Sequence, residues 1–270
     1  MLIDSHCHID LPAFDKDRHE VMAAAWDEGV SKMMLPGLFP EQWQGLSSLK
    51  QVASEHTPQA IDIAFGFHPY YLHELDSENT SDLLSGLERV CTEQQGSIVA
   101  IGECGLDRAI AYPLHRQIEF FLGQIEIASK LNKPLVLHHR QSHNELIRLL
   151  KQERFSGGGL LHAFSGSYEL AKSYIDMGFA LGIGGTITYS RAKKTRCALT
   201  KVYSKFSLSH FLLETDAPDM PLSGFQGERN SPDKIPLVAK ALADLLDVDY
   251  SLIAEETTSN YNRLFSSPTS

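Results

Sequence analysis

The stretch Asp4-Ser5-His6-Cys7-His8 places two histidines two residues apart, directly after the apolar pair Leu2-Ile3. Alternate side chains of an extended segment share a face, so His6 and His8 are expected to project together from a strand end. Two neutral imidazoles so arranged suit a divalent cation such as zinc; alone, the pair is equally consistent with two histidines that meet by chance. Four more apolar runs end in ionisable groups: one closes on Glu103, one on His138, one on His162, and one passes through Glu214 to Asp216. A single carboxylate after a strand often caps the next helix, and a single histidine beside apolar residues is more often a satisfied core residue than a ligand. Five such ends together point to a shared metal centre, because ionisable groups that follow buried runs are costly unless paired or coordinated.

Four histidines and two carboxylates exceed what one tetrahedral zinc requires. The expected centre holds two divalent cations, one among His6, His8 and Asp216, the other between His138 and His162, with Glu103 bridging through its two oxygens. Two ions about 3.5–4 Å apart activate a water and stabilise a leaving oxygen. Asp216 is placed to accept that water's proton, which makes Asp216 and Glu103 the expected catalytic residues. Such imidazole-rich ligation admits zinc, manganese, nickel or iron, and takes magnesium poorly.

These side chains need a scaffold that brings distant strand ends together. Eight short apolar segments read as strands: residues 2–5, 32–35, 61–67, 98–103, 134–138, 159–162, 179–182 and 211–214. Amphipathic stretches lie between them, as in Ile118, Phe121, Leu122, Ile125 and Ala128, which recur at three- and four-residue steps. Apolar strands with helical crossovers imply a parallel sheet. Eight such units in 270 residues predict a (β/α)8 barrel over 1–265, with 266–270 as a tail; an open doubly wound sheet is the competing architecture. In a parallel barrel the chemistry sits at the C-terminal ends of the strands, where the ionisable groups fall.

Composition narrows the class. A net charge of −10 argues against a broad surface that coats nucleic acid, while leaving room for an enzyme that grips a few phosphates. The one basic cluster, Arg191, Lys193, Lys194, Arg196 and Lys201, reads as a solvated helix face in preference to a phosphate contact. Cys7, Cys91, Cys104 and Cys197 form no CxxC pair and fit neither a disulfide framework nor a zinc finger. With no apolar run of membrane-spanning length and no signal-like N-terminus, a cytoplasmic protein is expected.

Several of these stretches, taken in order, resemble the TatD family of metal-dependent deoxyribonucleases: Asp4-Ser5-His6-Cys7-His8, Gly66-Phe67-His68-Pro69, Ile101 through Asp107, His138-His139-Arg140, Leu161 through Gly166, and Glu214 through Pro218. The ending Asn260-Tyr261-Asn262-Arg263-Leu264-Phe265 also fits. The resemblance implies an amidohydrolase-type TIM barrel with a divalent metal centre, and its ligand positions coincide with the six residues derived above. It gives His139 no ligand role, since the family usually has a small residue there. Arg108-Ala109-Ile110 departs from the aromatic residue that often follows Gly-Leu-Asp in the family, and the segment leading to Tyr112-Pro113 is shorter. That departure bears on substrate choice.

Around the centre, His68 and Arg140 are the expected substrate-binding residues. His68 reads either as a contact to a phosphate or metal-bound water, or as a turn residue before Pro69. Arg140 can hold a phosphate oxygen bidentately or pair with a carboxylate. Glu214 shares a face with Asp216 and can orient a ligand histidine. Tyr70 and Tyr71 can stack a base or cover the rim. The expected function is a metal-dependent hydrolase, a deoxyribonuclease that trims DNA ends as a monomer. The alternatives are hydrolysis of another ester or amide, such as an aminoacyl ester on tRNA, and a non-catalytic metal-binding barrel.

Overall fold

The computed structural model describes residues 1–56 and 60–265. The expected tail, 266–270, lies outside the described residues. Eight parallel strands alternate with helices in chain order: β1 (Leu2–Asp4), α1 (Arg18–Asp27), β2 (Val30–Pro36), α2 (Pro40–His56), β3 (Ile61–Phe65), α3 (Thr80–Glu93), β4 (Ile98–Asp107), α4 (Leu114–Leu131), β5 (Leu135–Arg140), α5 (His143–Gln152), β6 (Gly159–Leu161), α6 (Tyr168–Ile175), β7 (Phe179–Ile183), α7 (Lys193–Phe206), β8 (Phe211–Leu213), α8 (Ile235–Leu246) and α9 (Tyr250–Phe265). Each strand pairs with its neighbours in sequence from β1 to β8, so the (β/α)8 barrel is the architecture found and the open doubly wound sheet is not.

The seam between β8 and β1 is closed by backbone bonds beyond the strand ends. Ser5 N–H donates to the Leu213 carbonyl at 2.8 Å, Asp216 N–H to His6 at 2.9 Å, and His8 N–H to Ala217 at 2.7 Å. Asp4 reinforces the seam, its carboxylate accepting from the Thr215 N–H at 3.0 Å and the Thr215 hydroxyl at 2.5 Å. Burial pushes the Asp4 carboxyl up to about 7 while the Thr215 bonds pull it back.

Two cores follow from the strand period of two. Outward residues such as Leu2, Met33, Leu35, Ile63 and Ile101 pack under the helices. Inward, each strand gives one residue to the barrel interior: Ile3, Met34, Ala64, Ala100, Val136, Leu160, Ala180 and Leu212. Tyr261 and Phe265 of α9 complete that interior cluster. The Tyr261 hydroxyl donates to Asp62 Oδ2 at 2.9 Å, and Lys32 pairs with the same oxygen at 2.9 Å. Both faces of the strands are therefore buried, which is why they read as continuous apolar runs. No helix among the described residues is long and apolar enough to cross a membrane.

The strand boundaries shift from expectation by one to four residues, and two of the shifts bear on the site. β1 ends at Asp4, so His6 and His8 sit in the loop beyond the strand. β4 continues to Asp107, four residues past the expected end at Glu103.

Candidate metal centre and catalytic cleft

All six expected ligands converge at the C-terminal mouth of the barrel. His6 Nε2 and His8 Nε2 are 3.1 Å apart, and Glu103 Oε2 lies 3.2 Å from the first and 3.5 Å from the second. Asp216 Oδ1 stands 3.5 Å and 3.7 Å from the same two nitrogens. The other oxygen of Glu103, Oε1, faces a different set: His138 Nδ1 at 3.3 Å, His68 Nε2 at 3.4 Å and His162 Nε2 at 3.8 Å. His162 Nε2 also lies 3.9 Å from Asp216 Oδ2.

These separations resemble the edges of a coordination shell. Bonds of about 2.0–2.2 Å around a tetrahedral or octahedral ion set donor atoms about 2.8–3.6 Å apart. Two imidazole nitrogens facing each other beside two carboxylates gain little from one another, and a cation between them satisfies all four. The donor set, rich in nitrogen with two carboxylates, fits zinc, manganese or nickel. Cys7 and Cys104 are buried, and burial pushes both thiols well above their ordinary range, so neither offers a thiolate.

The outer nitrogens of the rings sort the histidines. His138 turns Nε2 to Asp107 Oδ2 at 3.3 Å, which leaves Nδ1 to face Glu103 as an acceptor. His162 sets Nδ1 3.4 Å from Glu214 Oε1, near enough for charge contact but not aligned as a hydrogen bond, with Nε2 towards the cleft. Glu214 Oε1 is itself fixed by the Ala163 N–H at 2.6 Å. His68 is the reverse case. Its Nδ1 accepts from the Tyr70 N–H at 3.1 Å, so its proton sits on Nε2 and is presented to the cleft. In that tautomer the ring can donate to an anionic oxygen.

Two buried glutamines on α4 hold the loops that carry these groups. Gln117 Oε1 accepts from the Asp107 N–H at 2.8 Å and its amide donates to the Asp107 carbonyl at 2.9 Å. Gln124 makes the same pair of bonds with Phe67, at 2.7 Å and 3.2 Å, directly before His68. Gly66 permits the approach of this loop to β4, since a Cβ there would stand 2.6 Å from Gly102 Cα. Sequence reasoning missed the roles of Asp107, Gln117 and Gln124. Asp107 is four residues past Glu103 on the same face of β4, and the glutamines interrupt an apolar stripe at a two-turn spacing; both were available signals.

Protonation follows from crowding. Burial opposes charge on Glu103, but His6, His68 and His162 outweigh it and hold the carboxyl well below its usual range. Burial likewise opposes a proton on His162, and Asp216, Glu214 and Glu103 override it, raising the ring to about 10. His6, stacked on His162 at 3.8 Å, is driven well down by burial and by that neighbour. Burial lowers His68 to about 4 and raises Asp216 to about 6.

The centre forms the floor of a cleft of about 450 Å³ whose rim includes Leu11, Leu38, Tyr70, Tyr71, Arg140 and Asp219. Arg140 stands opposite Asp107 in the β4–β5 register. His139 turns away and packs on His143, with ring centroids 4.1 Å apart. In the segment that departs from the usual family pattern, Arg108 lies 3.9 Å from Glu145. Asn230 and Asn260 make long-range backbone bonds: Asn230 to the Thr215 carbonyl at 2.9 Å, and Asn260 to Leu208 and Phe211 at 2.6 and 3.0 Å.

Comparison with known proteins agrees with this geometry. The family model described as TatD related DNase matches residues 3–266. An uncharacterized metal-dependent hydrolase of Escherichia coli K12, YjjV, is 35% identical over 267 residues, covering 98% of both chains. The crystal structure of that TatD homologue superposes with a TM-score of 0.87 at 34% identity, covering 99% of this chain and 98% of the other. A protein of Pantoea ananatis named 3'-5' ssDNA/RNA exonuclease TatD is 27% identical, over 98% of this chain and 99% of its own. With the fold, the strand-end histidines and carboxylates and these similarities in agreement, the chain belongs to the TatD family of metal-dependent hydrolases.

Proposed function

We propose that this hydrolase cleaves phosphodiester bonds of DNA, trimming ends, with Glu103 shared between two divalent cations. The observation that carries the reading is the division of the Glu103 oxygens, Oε2 to His6 and His8 and Oε1 to His138 and His162. In this reading His6, His8 and Asp216 would hold one cation and His138 and His162 the other. Zinc, manganese or nickel so held would place positive charge against the phosphate and acidify a water.

The chain's own groups supply the rest. Asp216 is the proton acceptor, its carboxylate bordering the cleft where the water would be held. His68 donates its Nε2–H to a non-bridging phosphate oxygen, and Arg140 offers a guanidinium to the same group from the end of β5. Tyr70 and Tyr71 flank the entrance where a base would lie. DNA as substrate is supported by the family's description and by the relative named as an exonuclease. The net charge of −10 favours short substrates or strand ends over long duplex.

A panel of single-stranded DNA and RNA oligonucleotides, small phosphodiesters and aminoacyl esters, tried with several divalent ions, tests the reading. Oligonucleotide hydrolysis should exceed that of the aminoacyl ester, and Glu103→Ala should reduce it by at least about a hundredfold. Preferential cleavage of the aminoacyl ester, or undiminished hydrolysis by Glu103→Ala, would overturn it.

A further inference from the structure

A second cavity, of about 410 Å³, is lined by Thr186, Tyr189, Arg191, Thr195, Met220 and Pro221. Ligand pockets commonly span about 300–1,000 Å³. This cavity is formed by the segments after β7 and β8, both at the mouth of the barrel, and by Thr195 in the first turn of α7. The segment after β8 contributes to both, for Asp216 and Asp219 line the cleft while Met220 and Pro221 line the second cavity.

Its chemistry is mixed in a particular way. The Arg191 guanidinium lies over the Tyr189 ring, 4.5 Å from its centroid. Tyr189 is held in place by its hydroxyl, which donates to the Pro221 carbonyl at 2.8 Å. Met220 and Pro221 give an apolar wall, and Thr186 and Thr195 add hydroxyls. Exposed Lys193 and Lys194 follow in the first turn of α7. The basic cluster thus divides by position. Arg196 donates to the Ile187 carbonyl at 2.5 Å and holds the loop, Lys201 is two turns away along α7, and Arg191 lines the cavity.

An arginine stacked on an aromatic ring beside an apolar wall matches the π-face and the anionic backbone of a single-stranded nucleotide. We infer that this cavity binds the nucleotide adjacent to the one being cleaved, its base against Tyr189, Met220 and Pro221 and its phosphate on Arg191. The inference rests on the nucleic-acid reading above and adds to it a subsite that distinguishes a polynucleotide from a small ester. On a protein of charge −10, a local cation at the mouth also tells a strand where to lie.

The test measures binding of a fluorescein-labelled six-nucleotide thymidylate to chelator-treated and to manganese-loaded protein, by anisotropy at several salt concentrations. Arg191→Glu should weaken binding about tenfold in both forms and reduce the salt slope by about 0.7, the share of one phosphate contact on a single strand. Arg191→Lys should retain the slope. Lys201→Glu makes the same charge change outside the cavity and should shift binding less than twofold. Arg191→Glu should lower kcat/KM for the oligonucleotide far more than for bis(p-nitrophenyl) phosphate, which has no second nucleotide. Equal losses from Arg191→Glu and Lys201→Glu, or equal losses on both substrates, overturn the subsite. If wild-type protein cleaves the small ester but neither binds nor cleaves the oligonucleotide, the subsite and DNA as substrate both fail while phosphodiester hydrolysis stands. If it cleaves oligonucleotides and Arg191→Glu binds them normally, only the subsite fails.

Discussion

Asp107 Oδ2 lies 3.3 Å from His138 Nε2, on the far side of the ring from Glu103. The contact fixes which nitrogen of His138 keeps its lone pair. A carboxylate that holds the outer N–H of a ligand histidine commonly contributes 10–100-fold in metal affinity. Asp107→Asn keeps the shape and removes the charge. Competition with a chromogenic chelator should show metal affinity falling by about that factor, with the thermal midpoint of the cation-free protein little changed. Unaltered affinity would leave Asp107 a structural residue.

Gln124 closes both backbone groups of Phe67, and Gln117 does so for Asp107. Leucine at either position fills similar space but leaves a buried N–H and carbonyl unpaired, at about 1–3 kcal/mol per group. Urea unfolding of Gln124→Leu should therefore register a loss of at least about 2 kcal/mol, and KM should rise more than kcat falls because His68 loses its footing. A loss below about 0.5 kcal/mol would mean that water satisfies Phe67 instead.

Cation uptake should release protons. In the cation-free protein His162 titrates near 10, because three carboxylates overcome the burial that disfavours its charge. A ligand imidazole must be neutral, so binding below that pH displaces the proton. Affinity then rises with pH through the neutral range, by about tenfold per unit for each proton displaced. Calorimetry at pH 7 in two buffers of different ionisation enthalpy should show release of at least about one proton per cation bound at this ring. Heats that do not depend on the buffer would contradict the assignment of His162.

Gly182, on β7, is a strand position at which no side chain fits. A Cβ there would fall on the Glu214 carboxylate, which anchors the Ala163 N–H and faces His162. Gly182→Ala should cost about 1–3 kcal/mol by overpacking and weaken metal binding together with it. Thermal melts and chelator competition on the same sample check both; a stable variant with lowered affinity would show that Glu214 gave way and not β7.

What could be read from the chain alone depended on how local each signal was. The eight strands were legible because burial on both faces makes them uninterrupted apolar runs, and His6, His8, Glu103, His138, His162 and Asp216 stood out as polar groups at their ends. The pairing of Glu103 with two separate sets of rings needed only ligand counting. Tautomers were not legible. His68 and His138 look alike in sequence, and only the Tyr70 N–H on one and Asp107 on the other separate donor from acceptor. Gln117 and Gln124 were hidden for a different reason: an amide in a helix reads as solvent-facing until the backbone it closes is known. The short 3-10 turns at Pro12–Phe14, Pro69–Leu75, Gly185–Thr188 and Pro232–Lys234 also went unread, since they have no hydrophobic period of their own.

Tyr261 and Phe265 pack into the interior of the barrel against the ring of inward residues from all eight strands. The axis is solid, so the cleft has a front door and no back one. If the substrate is the DNA strand proposed above, it cannot thread through the molecule as through a clamp, and each severed piece would back out by the mouth that Tyr70 and Tyr71 help to line. On that reading entry and exit would share one doorway, so an incoming strand would have to wait for the fragment to leave.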